Sequence, residues 1–211
     1  TYLTSIQVGN VQYGISVNPT LNQVYVADNS FMRNVYIIDS GTNAVVGTIP
    51  INLPSNPAPT ATAADRVLNR LYVGTEGIST PLPFVSAYNM GSFPPAIPLG
   101  SVALNSPFAT NIEAMATNSI THMLYVIDTR TLFVFDTTPP TPALVTSVPI
   151  LSPNEDGLSW VTVDEIHNTI YVVSRNQNGK VFVIDGLVNV VDTVLSTGTD
   201  PFAVGVKETN P

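Results

Sequence analysis

The chain of 211 residues carries 15 acidic residues against 7 Lys and Arg, a formal net charge of −8, with 10% of its residues charged and 44% hydrophobic. Affinity for nucleic acid rests on clustered Lys and Arg, so this balance, with no basic cluster anywhere, argues against a phosphate-binding surface. Cysteine is absent, which excludes disulfides, thiolate metal sites and a Cys nucleophile, and no apolar run approaches the roughly 18–20 residues that span a bilayer.

The hydrophobic content suffices for a sizeable core, and a single domain is the default at this length. Low charge with abundant Thr, Asn and Pro matches an exported protein better than a cytosolic enzyme. The chain begins at Thr1 rather than Met, as a mature or excised chain would. The one Asn-x-Thr triplet, Asn18-Pro19-Thr20, is disqualified as an N-glycosylation acceptor by its proline.

In chain order, residues 1–9 (TYLTSIQVG) read as an outer strand, with Thr4, Ile6 and Val8 at alternate positions. The segment 13–51 then divides into four short runs rich in Val, Ile and Tyr, namely 15–17, 24–26, 35–38 and 45–49. Asn, Pro, Asp, Ser and Gly separate them, which is strand and turn chemistry and predicts a four-stranded antiparallel sheet. The first turn is Asn18-Pro19-Thr20-Leu21-Asn22; the third strand closes on Asp39 before Ser40-Gly41-Thr42-Asn43.

The same unit returns at 57–104, 107–150 and 157–196. Tyr25-Val26, Tyr72-Val73, Tyr125-Val126 and Tyr171-Val172 mark it, and a polar residue stands seven positions before each Tyr: Asn18, Asp65, Asn118 and Asp164. Downstream, a further strand ends on Asp39, Asn89, Asp136 or Asp185, and a fourth follows, clearest at 47–51, 146–150 and 192–196. Residues 201–206 (PFAVGV) repeat the first strand of a unit, with Phe202, Val204 and Val206 alternating, and the segment 4–8 repeats the fourth. Proline- and threonine-rich stretches at 52–62 and 137–142 read as stiff, solvent-facing connectors, where O-linked glycans are an option. The second unit carries extra length at 76–83 and 91–98.

A period in the forties with four strands per unit is the signature of a β-propeller, whose blades bury their faces against one another. The expected architecture is all-β, four complete four-stranded blades with half-blade strands at 1–9 and 201–211. The sequence Tyr-Val-Ala-Asp-Asn, followed by Val-Tyr-Ile-Ile-Asp and Val-Val-Gly-Thr-Ile-Pro, resembles the YVTN-type propeller repeat over nearly the whole chain. The likeness is close in the first and fourth units, fair in the third and poor in the second. It implies a microbial cell-surface or surface-layer setting without implying one activity.

The half-blades admit three arrangements. The two end strands share one blade and close the ring, although its two middle strands are then missing. Alternatively the chain is part of a longer polypeptide. Or the half-blades pair with those of neighbouring copies, since unpaired edges template strand addition, and head-to-tail repetition builds a ring or filament.

Loops joining second to third strands, and those joining one blade to the next, gather around one mouth of a propeller's channel. The first kind holds Asp28, Asn29, Arg33, Glu76, Asp128, Arg130, Arg175, Asn176, Asn178 and Lys180, and the second Asn10, Gln12, Asn105, Asn154, Glu155, Asp156 and Asp200, a ring suited to a sugar, a peptide or Ca²⁺ through oxygen ligands. Each alone also reads as ordinary polar loop surface. The acidic run 154–156 lacks the alternating spacing of a calcium loop and reads as a turn. His122 and His167 fall in first-to-second-strand hairpins, on the opposite face, and two His without a third ligand do not make a zinc site. Trp160, on an innermost strand, either fills the channel or packs between blades, and the core is the expected place. No nucleophile elbow or phosphate-binding glycine loop occurs, so no cofactor, metal site or catalytic residue is assigned. The expected function is an extracellular structural or adhesive module, a homo-oligomer or polymer or a run of further repeats. The alternatives are a ligand-binding or enzymatic propeller of lyase or hydrolase type, working at the channel mouth, and a scaffold for a protein partner.

Overall fold

Sixteen strands form four antiparallel sheets in a computed structural model that describes residues 4–54, 56–77, 82–91, 94–105, 111–152, 155, 157–175 and 177–207. Blade 1 comprises β1 (Gln12–Asn18), β2 (Gln23–Asp28), β3 (Asn34–Asp39) and β4 (Ala44–Pro50). Blade 2 comprises β5 (Pro59–Asp65), β6 (Arg70–Thr75), β7 (Phe84–Asn89) and β8 (Ile97–Ala103). Blade 3 holds β9 (Ala114–Asn118), β10 (Met123–Ile127), β11 (Thr131–Asp136) and β12 (Ala143–Pro149), and blade 4 holds β13 (Leu158–Asp164), β14 (Thr169–Ser174), β15 (Lys180–Asp185) and β16 (Val190–Ser196). In each sheet the strands lie in sequence order. The molecule is a β-propeller of four blades, and no helix among the described residues is long and apolar enough to cross a membrane.

The innermost strands pack side by side, β1 on β5, β5 on β9 and β9 on β13. One side of each sheet faces the next blade, so three apolar layers hold the four blades together. The first joins Tyr25, Val35 and Ile37 to Leu71, Val73 and Tyr88. The second joins Tyr72, Val85 and Ala87 to Leu124, Val126 and Phe135, and the third joins Tyr125, Ile127 and Val134 to Ile170, Val172 and Ile184. Strand alternation explains the division, because residues one apart point to opposite faces.

Two repeated polar devices reinforce those layers. The Asx residue that ends each innermost strand accepts backbone N–H groups of its own turn: Asn18 from Thr20 and Leu21, Asp65 from Val67 and Leu68, Asn118 from Ile120 and Thr121, and Asp164 from Ile166 and His167. Its second atom reaches the next blade at the residue that turns the first hairpin with a positive φ. Asn18 Nδ2 donates to Asn69 Oδ1 at 3.3 Å, Asp65 Oδ2 lies 3.3 Å from His122 Nδ1, and Asn118 Nδ2 donates to Asn168 Oδ1 at 2.9 Å. Asn tolerates this left-handed conformation better than most residues, which accounts for its recurrence there. The strand-ending acceptors behave as their sequence position implies: Asp39 binds Thr42 N, Asn89 binds Gly91 N, Asp136 binds Thr138 N and Asp185 binds Leu187 N.

The outermost strands are bulged at one common place. Pairing slips by a residue between Ile37 and Ile38, Ala87 and Tyr88, Val134 and Phe135, and Val183 and Ile184. An extra residue there twists the outer strand and blunts a free edge.

Three expectations need correction. Residues 4–9 and 201–207 belong to no sheet, because a strand exists only where a ladder partner does, and the described residues offer neither segment one. Residues 59–62, assigned to a connector, open β5 and are buried, since small side chains are what the crowded channel wall accepts. The 137–142 stretch is docked on blade 2 rather than held out in solvent: Arg70 Nη1 donates to Thr137 O and to Pro139 O, and Thr137 is buried. Thr60, Thr62 and Thr137 are therefore closed to glycans, while Thr138 and Thr141 stay exposed. Parts of the extra length in the second unit (78–81 and 92–93) and of the terminal segments (1–3 and 208–211) lie outside the described residues, as do 106–110 at the head of the third unit.

Tyr25, Tyr72 and Tyr125 are fully buried between blades, whereas Tyr171, with no blade beyond it, is only half-buried. Tyr72→Ala is expected to cost about 3–5 kcal/mol, and Tyr171→Ala less than about half of that, read from urea midpoints at constant slope. Equal losses would show that the tyrosine stabilises its own sheet rather than the layer between blades.

Candidate functional site at the channel mouth

At the end of the second strand of each blade, or in blade 3 one residue beyond it, stands a small polar residue that is wholly buried: Asp28, Thr75, Asp128 and Ser174. Asp28 Oδ1 accepts the N–H groups of Asn10, Val11 and Ser30, and its Oδ2 accepts the Ser30 hydroxyl at 2.7 Å. Against the burial that opposes it, this set of hydrogen bonds holds the Asp28 carboxyl below its ordinary range. Asp128 Oδ1 accepts the N–H groups of Arg130 and Thr131 at 2.7 Å each. Both carboxylates thus organise loops and are not presented to a ligand.

The other residues of the expected ring are scattered. Arg33 and Glu76 line a groove of about 350 Å³ with Phe31, Asn10 and Asn29, at the rim between blades 1 and 2. Glu76 Oε1 accepts Ala58 N there. Arg130 donates to Ser152 O and Glu155 O, tying down the connection to blade 4. Glu155 is itself held to about pKa 2 by the Ser152 N–H, the Lys180 ammonium at 3.0 Å and the Ser152 hydroxyl. Asn178 is exposed. Asn154, Asp156 and Asn176 lie outside the described residues. Of the set, Arg175 alone reaches the channel.

The channel mouth holds a cavity of about 510 Å³, bounded by the innermost strands of all four blades. Three of those strands carry a bulge at one position: pairing slips between Gln12 and Ile15, Pro59 and Ala61, and Leu158 and Trp160. Bulges re-aim a side chain, and here they bring Tyr13, Thr60 and Ser159 to the cavity, with Glu113 at the equivalent place on the approach to β9. Gly14, Ala61, Ala114 and Trp160 share the next position. A Cβ on Gly14 would lie 2.7 Å from the Ala61 backbone, so the crowded junction between β1 and β5 demands glycine. In blade 4, where no further blade crowds the strand, the same position accommodates the indole of Trp160. That ring packs against the layer between blades 3 and 4 and also lines the cavity, so the core assignment holds for one edge only.

Glu113 is the residue that sequence reasoning missed. Its side chain is half-buried in the cavity wall and has no hydrogen-bond partner among the described residues. Burial raises its pKa above the ordinary value, the Asp128 carboxylate adds to that, and the Arg175 guanidinium opposes it. Arg175 sits 5.2 Å from the centre of the Phe202 ring, within cation–π range. Phe202 is brought there by the 201–207 segment, whose carbonyl at Phe202 accepts the Ser159 hydroxyl at 2.9 Å. His122 and His167 lie in the hairpins near Asp65 and Asp164, away from the cavity. Among the described residues no group of three His, Asp or Glu is placed to hold a metal. The signal for Glu113 was available: it stands five residues before Asn118, as Tyr13 stands before Asn18.

No protein-family model matches the chain, and no curated protein matches it. Its fold is similar to that in the crystal structure of RRP9 WD40 repeats, with a TM-score of 0.67 and 12% sequence identity over 89% of this chain and 51% of that one. At that identity the likeness concerns the propeller fold alone, and this chain spans about half the length of the structure it matches.

Since the folded state holds the Glu113 proton more firmly than the unfolded chain does, stability contributed at this position falls as pH rises through the folded-state pKa. Glu113→Gln is expected to raise the thermal midpoint relative to the parent at pH 7 and to leave it nearly level at pH 4. The same difference at both pH values would place the carboxylate in water rather than in the cavity wall.

Proposed function

We propose that the chain is a non-enzymatic structural or adhesive module of YVTN type, at the cell surface or outside the cell, that joins further blades through its two outer faces. The further blades come from other copies or from additional repeats. The observation that carries this reading is the unequal burial of one repeated residue. Tyr25, Tyr72 and Tyr125 are each closed off by the blade that follows, and Tyr171 is not.

The same asymmetry marks every device that joins blades. Asp164, whose counterparts reach across to the next blade, turns back on His167 of its own hairpin at 2.8 Å. At the other end Asn22 holds the positive φ of its counterparts Asn69, His122 and Asn168, with no preceding blade to engage it. Terminal units of repeat proteins stay soluble through a polar outer face. Blade 1 instead turns Ile15 and Val17 outward, 60% and 55% exposed, and blade 4 turns out Leu195 at 50%. At the two ends stand the segments with Thr4, Ile6 and Val8 and with Phe202, Val204 and Val206, free of any ladder and chemically able to take up a strand. Low charge, abundant Thr, Asn and Pro, and the repeat's resemblance to YVTN-type propellers support the surface setting.

Because the two faces differ, contact between copies is head to tail. Purified protein is expected to form rings or lines of repeating discs in negative-stain microscopy, with a mass by light scattering above that of one chain. Ile15→Asp and Leu195→Asp should each reduce the assembly to single chains, and a mixture of the two variants should recover pairs through the faces left intact. A monodisperse single-chain particle with a closed ring would contradict the proposal.

A further inference from the structure

The repeat offers an internal test of what the fold requires. At positions that serve the blade the residue recurs in all four units: Tyr25, Tyr72, Tyr125 and Tyr171, or the Asx residues Asn18, Asp65, Asn118 and Asp164. At the channel position, bulged in blades 1, 2 and 4, it does not, for there stand Tyr13, Thr60, Glu113 and Ser159, with Phe202 at the matching place of the segment that follows blade 4. One register position filled by five different residue types means that packing does not dictate the choice. Thr60 and Ser159 are accounted for by hydrogen bonds to Ile112 O at 2.7 Å and Phe202 O at 2.9 Å. Tyr13 and Glu113 are not, and the Phe202 ring is engaged by the Arg175 guanidinium 5.2 Å away.

These three converge with Trp160, Arg175 and Asn111 on the cavity of about 510 Å³, within the usual range for a small-ligand site. Tyr13 and Phe202 are 63% and 62% exposed, large for aromatic residues beside a channel. The Glu113 carboxylate offers acceptors, and the Arg175 guanidinium and Asn111 amide offer donors. One negative and one positive group leave the wall with little net charge, which disfavours both a polyanion and a polycation.

We propose that the channel mouth binds a neutral saccharide, its apolar C–H face laid on the aromatic rings and its hydroxyls shared between Glu113, Arg175 and Asn111. Hydrolysis of a glycosidic bond uses a pair of carboxylates flanking it; among the described residues Glu113 is the one carboxylate lining the cavity, so the site holds the sugar without cleaving it. The channel site shares Ile15 and Phe202 with the edges through which blades join, but its polar groups Glu113, Arg175 and Asn111 are not among the joining residues, and it goes beyond that reading.

Trp160 is the sole tryptophan, so its emission reports the site directly. Titration of the full chain with cellohexaose, laminarihexaose and mannohexaose is expected to give a saturable emission change with at least one of them, with Kd below about 1 mM. Glu113→Gln and Arg175→Gln should each weaken that binding about tenfold or more while keeping the parent's circular dichroism and a cooperative urea transition, with the Glu113→Gln midpoint at or above the parent's. Trigalacturonate should bind more weakly than the neutral sugars, and no reducing ends should be released. The proposal is overturned if none of the three neutral sugars produces an emission change or a calorimetric heat up to about 10 mM, if both variants bind as the parent does, if trigalacturonate is preferred, or if reducing ends appear. Loss of sugar binding with assembly intact would sink this site and leave the assembly reading standing; the reverse result would do the opposite.

Discussion

Each blade needs a neighbour on both faces, because a four-stranded sheet of this composition is apolar on both sides. Tyr25, Tyr72 and Tyr125 show how the need is met: each stands on a second strand, lies wholly between two sheets and closes the layer. Burial so deep drives the Tyr125 phenol up to about pKa 12 and raises the Tyr25 and Tyr72 phenols as well. The Tyr25 and Tyr125 hydroxyls remain satisfied, by Gln23 Oε1 at 2.8 Å and Asn168 Oδ1 at 3.2 Å, so the layer pairs apolar area with a polar tip. The Asx bridges add direction. They run from one blade's first turn to the next blade's hairpin, and they fix the order in which blades stack.

That constraint also shapes the channel. Innermost strands held close enough for a Cβ on Gly14 to collide with Ala61 leave no room for large side chains toward the neighbour, so Gly14, Ala61 and Ala114 are small. The adjoining bulged residue escapes the constraint by pointing along the channel mouth, and there the chain is free to vary its chemistry. Structural repetition and chemical variety therefore occupy neighbouring residues on the same strand. Trp160 marks where the constraint lapses, in the blade whose outer face is open.

The blades were legible from residue pattern because their requirements repeat. Turn-forming Asn and Asp, Tyr-Val pairs and Val/Ile runs each report a local need that the fold imposes four times, and β1 to β4 fall where the first unit predicts. The candidate site was much less legible. Loop carboxylates such as Asp28 and Asp128 look like ligands in sequence, yet buried carboxylates need hydrogen bonds, and these two spend theirs on loop amides. Glu113 looked unremarkable because its chemistry depends on a bulge and on Arg175 and Phe202 from distant parts of the chain. Proline-rich stretches misled for a related reason: composition reports stiffness, but not whether a neighbouring residue such as Arg70 will capture the loop.

The central claim, that stability resides between blades rather than within them, is tested most directly by native-state amide hydrogen exchange on the dispersed single chain. The account predicts the slowest exchange in β6 and β10, whose blades are covered on both sides, and earlier opening in blade 4, where β14 carries the half-open Tyr171. Equal protection of all four second strands, or slowest exchange in β14, would mean that each blade holds itself together and that the layers between them are incidental.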